Sequence, residues 1–181
     1  SDGTILCSFF TYPDGGTMIL RSVDEGQTWQ QACEPLPGAT DGPIIGLQDG
    51  SAMICVYGRI SDGAPHSECV ILKTANRGTD WEQKAVISTD HDMCEGSIAQ
   101  LPDGRVVLMS RPEADVCWSE DGGRTWTRPI SLGMRAFEPG LVALRNGTLL
   151  ALHGSYAAGG LACTFGRDRG QTWMVPHQDY G

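Results

Sequence analysis

Short runs of apolar residues separated by tight-turn dipeptides recur along the chain. The runs are rich in Val, Ile and Leu, and the longest unbroken aliphatic stretch is Val106–Met109. Asp-Gly, Asn-Gly and Gly-Gly pairs stand between the runs, and such pairs close hairpins because their residues tolerate positive φ. The pattern predicts an all-β chain of many short antiparallel strands.

A longer motif occurs four times, and the starts of the copies differ by 52, 45 and 47 residues, the period of a repeat architecture. Each copy has Asp or Asn at its third position, where the side chain can bond its own turn backbone, and Gly at its fifth, where positive φ is cheap. Trp closes each copy. We therefore predict four hairpin turns anchored by Trp, and we call them the box turns: Ser22–Trp29, Thr74–Trp81, Ser119–Trp126 and Gly166–Trp173.

A second hairpin pattern repeats in step with the box turns, and each copy has an Asp-Gly or Asn-Gly pair at its centre. One unit then reads strand A, tight turn, strand B, loop, strand C, box turn, strand D. Four antiparallel strands in about 45 residues indicate a β-propeller blade. The second hairpins are Pro43–Val56, Gly96–Met109 and Gly140–Leu152.

The strands add up to about 3.75 blades, a count obtained by placing strands on the blade pattern. The first blade shows only strands B and C before its box turn, so we expect its strand A upstream of Ser1. The chain therefore corresponds to a single fragment of a larger propeller. The expected blades are 1–37, 38–90, 91–134 and 135–181.

Charge and composition exclude several classes of function. The net charge is −9, and no basic stretch is interleaved with aromatic residues, which argues against a nucleic-acid partner. No stretch is long and apolar enough for a transmembrane segment. The seven cysteines show no C-x-x-C spacing and mostly lie in apolar runs, so we expect mainly unpaired, buried thiols.

The box turns, with the pattern S-x-D-x-G-x-T-W, resemble the Asp-box (BNR) repeats of the sialidase superfamily, and the resemblance spans essentially the whole chain. It implies a six-bladed β-propeller whose boxes lie on the rim, away from the active site. It also implies a secreted or periplasmic location. The box residues are accordingly expected to be structural.

Strand direction predicts where a site would lie. In antiparallel blades the A–B turn and the box turn fall on the same face, so the start of strand A and the end of strand B share the opposite face. Reflecting each hairpin about its turn brings acidic residues next to arginines at that opposite face. The expected pairs are Asp41 with Arg59, Glu95 with Arg111, and Glu138 with Ser155.

The segment Cys94–Arg111 looks like one particular blade of family sialidases, with the pattern E-x-x-x-x-x-L-x-D-G followed by a strand that ends in Arg. The resemblance implies that Glu95 polarises a nucleophilic Tyr and that Arg111 is one of three arginines that hold the sugar carboxylate. Tyr180 is the candidate for that Tyr. The resemblance places the first Arg and an acid/base Asp upstream of Ser1, and the third Arg expected in the loop 154–163 is not there.

These observations favour a retaining glycoside hydrolase of the exo-α-sialidase type, acting on sialylated or other anionic glycans without a cofactor. Asp41, Arg59 and Glu138 are further candidate substrate-binding residues. The run Asp90–Glu95 has metal-ligand residue types, but adjacent side chains rarely converge on one ion, so no metal site is expected. Two alternatives stay open: a non-catalytic Asp-box propeller that binds glycans or proteins, and a purely structural repeat domain.

Overall fold

The strands form four antiparallel sheets, each with its strands in chain order. The computed structural model describes residues 3–11, 16–155 and 159–175. One sheet has three strands and three sheets have four, which confirms the predicted propeller blades.

The four sheets follow one another along the chain. Sheet 1 contains β1 (Ile5–Thr11), β2 (Gly16–Ser22) and β3 (Gln30–Gln31). Sheet 2 contains β4 (Ile45–Gly46), β5 (Ala52–Gly58), β6 (Glu68–Thr74) and β7 (Glu82–Ile87). Sheet 3 contains β8 (Cys94–Gln100), β9 (Val106–Arg111), β10 (Asp115–Ser119) and β11 (Ile130–Ser131). Sheet 4 contains β12 (Ala136–Ala143), β13 (Leu149–Ser155), β14 (Gly160–Arg167) and β15 (Thr172–Met174).

The core consists of apolar layers between successive sheets. Alternate residues of β9 point to opposite sides, because side chains alternate along a strand. Val106 and Leu108 join the layer shared with sheet 2, whereas Val107 and Met109 join the layer shared with sheet 4. The continuous apolar run of β9 is therefore explained by burial on both faces.

The described residues cover sheet 4 on one side only. Its inner side packs on sheet 3, while the other side carries Leu152 and Leu161, which are 46% and 77% exposed. Phe165 is also exposed on β14. Sheet 4 thus shows the alternating buried and exposed pattern of a sheet with one solvated face.

The box turns are closed by side-chain hydrogen bonds within each turn. In the third box, Asp121 accepts hydrogen bonds from the backbone N–H and the hydroxyl of Thr125, at 2.9 and 2.7 Å. The indole N–H of Trp126 donates to the carbonyl of Gly123 at 3.0 Å, and Gly123 has a φ of 92°. The other three boxes repeat the indole-to-glycine bond at 2.8–3.0 Å. These contacts explain why the motif needs Asp or Asn at its third position, Gly at its fifth and Trp at its end.

The box turns and the A–B turns lie on one side of the sheets, which we call the turn face. Arg169 of the fourth box binds Asp103 of the A–B turn in sheet 3, and its Nη2 also lies 2.9 Å from Glu120. Arg105 bonds Glu120 as well and donates to the carbonyl of Arg169 at 2.8 Å. This network joins sheets 3 and 4. The other side, where strands A begin and strands B end, we call the open face.

The cysteines agree only in part with expectation. All seven are unpaired, and Cys55, Cys69 and Cys117 are buried as predicted. Cys7 and Cys163 are exposed instead, because they lie on strands β1 and β14 at the two ends of the sheet stack. Burial raises the pKa of the Cys117 thiol well above its usual value, which makes this thiol unreactive.

Replacing Trp126 by Ala is expected to lower the free energy of unfolding by about 2–4 kcal/mol. The indole packs against the layer between sheets 2 and 3 and holds its own turn. Trp29 is the matched control, since it makes the same bond but is 43% exposed. Urea unfolding of both variants measures the difference. An equal loss for W126A and W29A would contradict a packing role for Trp126.

The boxes should also make stability dependent on acid pH. Hydrogen bonds from the backbone and hydroxyl of Thr125 lower the pKa of Asp121 from 3.8 to about 2. A carboxyl with a depressed pKa stabilises the fold fully above its unfolded pKa, and this contribution is lost as the pH falls from about 4 to about 2.

The variant Asp121→Asn isolates that contribution, because Asn76 already serves at the equivalent position of the second box. We expect D121N to lose less stability than the parent between pH 6 and pH 2.5, by less than about 1 kcal/mol because the group is exposed to solvent. Chemical unfolding at several pH values measures the change. Identical pH profiles for parent and variant would contradict the role given to the carboxylate.

Candidate functional site

Two acidic residues of the open face adopt an unusual backbone conformation. Glu95 and Glu138 have φ values of 50° and 48°. Each lies where strand A departs from regular pairing, between Cys94 and Ser97 in sheet 3 and between Phe137 and Gly140 in sheet 4. Such a conformation costs a non-glycine residue about 1–3 kcal/mol and persists only where its surroundings hold it. Bulges of this kind redirect a side chain out of the pleat.

Glu95 binds Arg111 and the neighbouring blade at once. One carboxylate oxygen pairs with Nη1 of Arg111, and the other accepts the backbone N–H of Glu138 at 2.7 Å. The Glu95 side chain is 11% exposed and that of Arg111 is 36% exposed. The expected pairing of Glu95 with Arg111 is therefore present. A buried carboxylate with two donors is fixed in orientation, whereas the Arg111 side chain is partly exposed.

Asp41 has a different partner from the one expected. Its Oδ2 accepts the phenol O–H of Tyr57 at 2.6 Å. Arg59 lies two residues after Tyr57, beyond the end of β5, and is exposed. Among the described residues no ion pair joins Arg59 to Asp41. Tyr57 is the functional candidate that hairpin reflection missed.

Glu138 and Ser155 are not opposite one another. Ser155 pairs with Ala136, and Gly154 pairs with Phe137, because the bulge leaves Glu138 out of the ladder. Glu138 is exposed, and its backbone N–H serves Glu95. Tyr180, the candidate nucleophile, lies outside the described residues.

Counting from the glycine of each A–B turn reveals equivalent positions in the three hairpins. An acidic residue stands nine residues before that glycine each time: Asp41 before Gly50, Glu95 before Gly104 and Glu138 before Gly147. Seven residues after the same glycines stand Tyr57, Arg111 and Gly154. Aligning the blades on the turn glycine, rather than reflecting each hairpin, would have found the Asp41–Tyr57 pair from the sequence.

A close backbone approach brings the first two pairs together. A Cβ on Gly42 would lie 2.3 Å from the carbonyl oxygen of Gly96, so only glycine fits there. A Cβ on Gly96 would in turn lie 2.5 Å from Sγ of Cys55. Gly42 directly follows Asp41, and Gly96 directly follows Glu95. The backbone segments that carry the two acids therefore lie against each other across the boundary between sheets 2 and 3.

The site opens on a cavity of about 270 Å³ lined by Glu95, Arg111, Phe137 and Glu138. A larger groove of about 680 Å³ lies between sheets 1 and 2 near the A–B turn of sheet 2, but no carboxylate lines it. The smaller cavity is the better candidate, because convergent charged groups rather than volume give a pocket chemistry.

Tyr57 keeps its proton at physiological pH. Burial, the hydrogen bond to Asp41 and the nearby charge of Glu95 all raise the pKa of Tyr57 well above its usual value. The phenol is thus a neutral donor committed to Asp41. Its ring packs against the apolar layer between sheets 2 and 3, so its position is anchored.

His91 stabilises the loop that leads into β8 through contacts of its imidazole ring. Its ring nitrogens lie 3.0 Å from Asp90 and 2.9 Å from the buried Asp115, and these contacts raise the pKa of His91, chiefly through Asp115. In the described ranges no group of three or more His, Cys, Asp and Glu side chains has a metal-binding arrangement. The acidic run before β8 thus contributes to loop structure through this histidine.

Comparison with known proteins places these features in a family. The family model described as a BNR repeat-like domain matches residues 10–178. The chain belongs to the BNR repeat-like domain family. A search of curated proteins finds no match. No helix in the part of the chain that the structure describes is long and apolar enough to cross a membrane.

Solved structures support the BNR propeller fold. A Dyadobacter fermentans protein of unknown function is 23% identical with a TM-score of 0.80, and the match covers 100% of this chain and 63% of that one. The NanB sialidase K499G mutant of Streptococcus pneumoniae is 14% identical with a TM-score of 0.69, covering 96% and 49%. The E242A mutant of a Fusarium graminearum α-L-arabinofuranosidase is 14% identical with a TM-score of 0.69, covering 91% and 59%. The chain thus spans about half to two thirds of these proteins.

Gly42→Ala should destabilise the boundary between sheets 2 and 3. The new methyl group meets a backbone carbonyl that cannot rotate away, and overpacking of this kind costs about 1–3 kcal/mol. Gly46→Ala is the matched control, because a Cβ there meets nothing within 4 Å. Denaturant midpoints of both variants test the point. A G42A protein as stable as G46A would show that the glycine contact does not hold the two acids together.

Proposed function

We propose that this chain forms part of the substrate-binding face of a sialidase-like glycoside hydrolase, of the retaining exo-α-sialidase type. The observation that carries the proposal is the Glu95–Arg111 pair, held in a bulge on the open face at the edge of a 270 Å³ cavity. Family membership and the fold shared with a sialidase and an arabinofuranosidase support a glycosidase as the class.

In this proposal Arg111 binds an anionic group of the sugar. A guanidinium offers paired donors that match a carboxylate, and the Arg111 side chain lines the cavity and is 36% exposed. Glu138 and Phe137 line the same space. Sialylated or other anionic glycans are therefore the first substrates to test.

Glu95 is the base in the proposed reaction. A tyrosine phenol attacks an anomeric carbon poorly unless a neighbouring carboxylate takes its proton, because its usual pKa is about 10. Tyr180 is the tyrosine that the sequence offers for this step. The fixed orientation of Glu95 suits such a role, since proton transfer requires hydrogen-bond geometry.

A second candidate function is glycan binding without hydrolysis. It is favoured by the fact that both oxygens of Glu95 already have partners, Arg111 and the N–H of Glu138. In this case Glu95 positions Arg111 and joins two blades. Binding of glycans by the complete protein without any turnover would favour this alternative.

Steady-state kinetics of the complete protein distinguish the substrate-binding role of Arg111 from the role of Glu95 as the base. Arg111→Ala removes a charge-assisted contact worth about 1.5–3 kcal/mol, so the KM for a fluorogenic sialoside should rise by about 10- to 150-fold. The KM for a neutral arabinofuranoside should hardly change. Glu95→Gln keeps the shape but removes the base, and should lower kcat by about 10²- to 10⁴-fold at similar KM.

Arg145→Ala is the control, because Arg145 is exposed beside an A–B turn on the turn face. It should behave like the parent. Absence of turnover of either substrate by the parent would exclude the enzyme proposal. Equal kinetics for the parent, R111A and E95Q would exclude these residues from the site.

A further inference from the structure

The Asp41–Tyr57 pair occupies the same place in sheet 2 that Glu95–Arg111 occupies in sheet 3. Both acids stand nine residues before the turn glycine, and both partners stand seven residues after it. In both pairs the acid is bonded to the side chain of its partner, through the Tyr57 hydroxyl at 2.6 Å or through Arg111 Nη1. The blade repeat thus presents two carboxylate-centred pairs at one level of the open face.

The two pairs are neighbours across the boundary between the sheets. The contact of Gly42 with the carbonyl of Gly96 leaves no room for even a methyl group between the segment that carries Asp41 and strand β8, which carries Glu95. Glu95 lies near enough to Tyr57 for its charge to contribute to the raised pKa of the phenol. One ligand can therefore contact both pairs.

The two pairs offer different chemistry. At Glu95–Arg111 the partly exposed Arg111 side chain is positively charged and has only N–H donors. At Asp41–Tyr57 the only polar hydrogen already goes to Asp41, so lone pairs of the carboxylate and the phenol oxygen are what a ligand meets. An anionic group would find no donor in this pair and would be repelled by Asp41, whereas a hydroxyl can donate to it.

We propose that Asp41 and Tyr57 form a second glycan-binding pair, which accepts hydrogen bonds from an uncharged, hydroxyl-bearing part of the ligand that Arg111 contacts. This inference rests on the proposed function insofar as the ligand is a glycan. It adds Tyr57 to the site and gives Asp41 a partner other than Arg59. Both residues act in binding and take no part in bond cleavage.

Calorimetric binding to the complete protein tests the proposal with two probes, N-acetylneuraminic acid and neutral arabinobiose. Tyr57→Phe keeps the ring in the core and removes only the hydroxyl, and Asp41→Asn keeps the size of an exposed side chain. Loss of one hydrogen bond corresponds to about 3- to 10-fold in affinity. We expect each variant to weaken both probes by that amount, while Arg111→Ala weakens only the anionic probe. Arg145→Ala should match the parent.

Several results would overturn the proposal. The proposal would be wrong if Y57F and D41N bound both probes with the affinity of the parent. This holds even if R111A no longer bound the anionic probe, a result that would leave the proposed function intact. A parent protein that binds neither probe would also overturn the proposal. A Y57F protein whose kcat fell more than 100-fold at unchanged KM would place the phenol in the chemistry instead.

The enzyme proposal can fail separately. A parent protein that hydrolyses no glycoside but binds arabinobiose in a manner sensitive to Y57F and D41N would keep the binding pair and exclude the hydrolase. Denaturant midpoints of the variants within the error of the parent exclude loss of folding as the cause of any change in affinity.

Discussion

The packing of β8 between sheets 2 and 4 is the contact on which the open face depends. Gly96 of this strand lies against the sulfur atoms of Cys55 and Cys69 and against Gly42, leaving no free space on that side. On the other side, the hydroxyl of Ser97 accepts the backbone N–H of Leu141 at 3.0 Å. Glu95 comes just before this tightly held segment, so its position follows from backbone packing and not from its own side chain.

The same strand also explains why charge can be buried at this boundary. A carboxylate that is 11% exposed is costly to desolvate unless it has partners. Glu95 finds one partner within its own hairpin, Arg111, and one in the next blade, the N–H of Glu138. The Glu95 carboxylate therefore couples the formation of the site to the docking of sheets 3 and 4, through its hydrogen bond from Glu138.

Much of the fold could be predicted from the sequence because its signals are local. Box turns depend on contacts between residues at most four positions apart, such as Asp121 with Thr125 and Trp126 with Gly123. Hairpin reflection also found Glu95–Arg111. It failed at Asp41 because the β4–β5 ladder pairs Ile45 with Met53 and so is centred on Asp49 rather than Gly50; continued to Asp41, this register leads to Tyr57 and not Arg59. It failed at Glu138 because a bulge there changes the register of the residues before it. Contacts between blades, such as that of Gly42 with Gly96, lie outside any single hairpin, so reflecting one hairpin cannot reveal them.

The common numbering of the hairpins separates stability from ligand chemistry. The residue seven positions after the turn glycine is Tyr57, Arg111 or Gly154, yet the three hairpins keep the same strand pairing at their turns. At Gly154 the missing side chain leaves room for the ring of Phe137, whose nearest atom would be 2.0 Å from a Cβ. The position seven residues after the turn glycine thus holds a phenol in one blade and a cation in the next. In the third blade it holds a glycine, and the ring of Phe137 occupies the space that a side chain would take. A propeller that duplicates its blades therefore acquires new combinations of ligand contacts by exchanging single residues, without having to evolve a new scaffold.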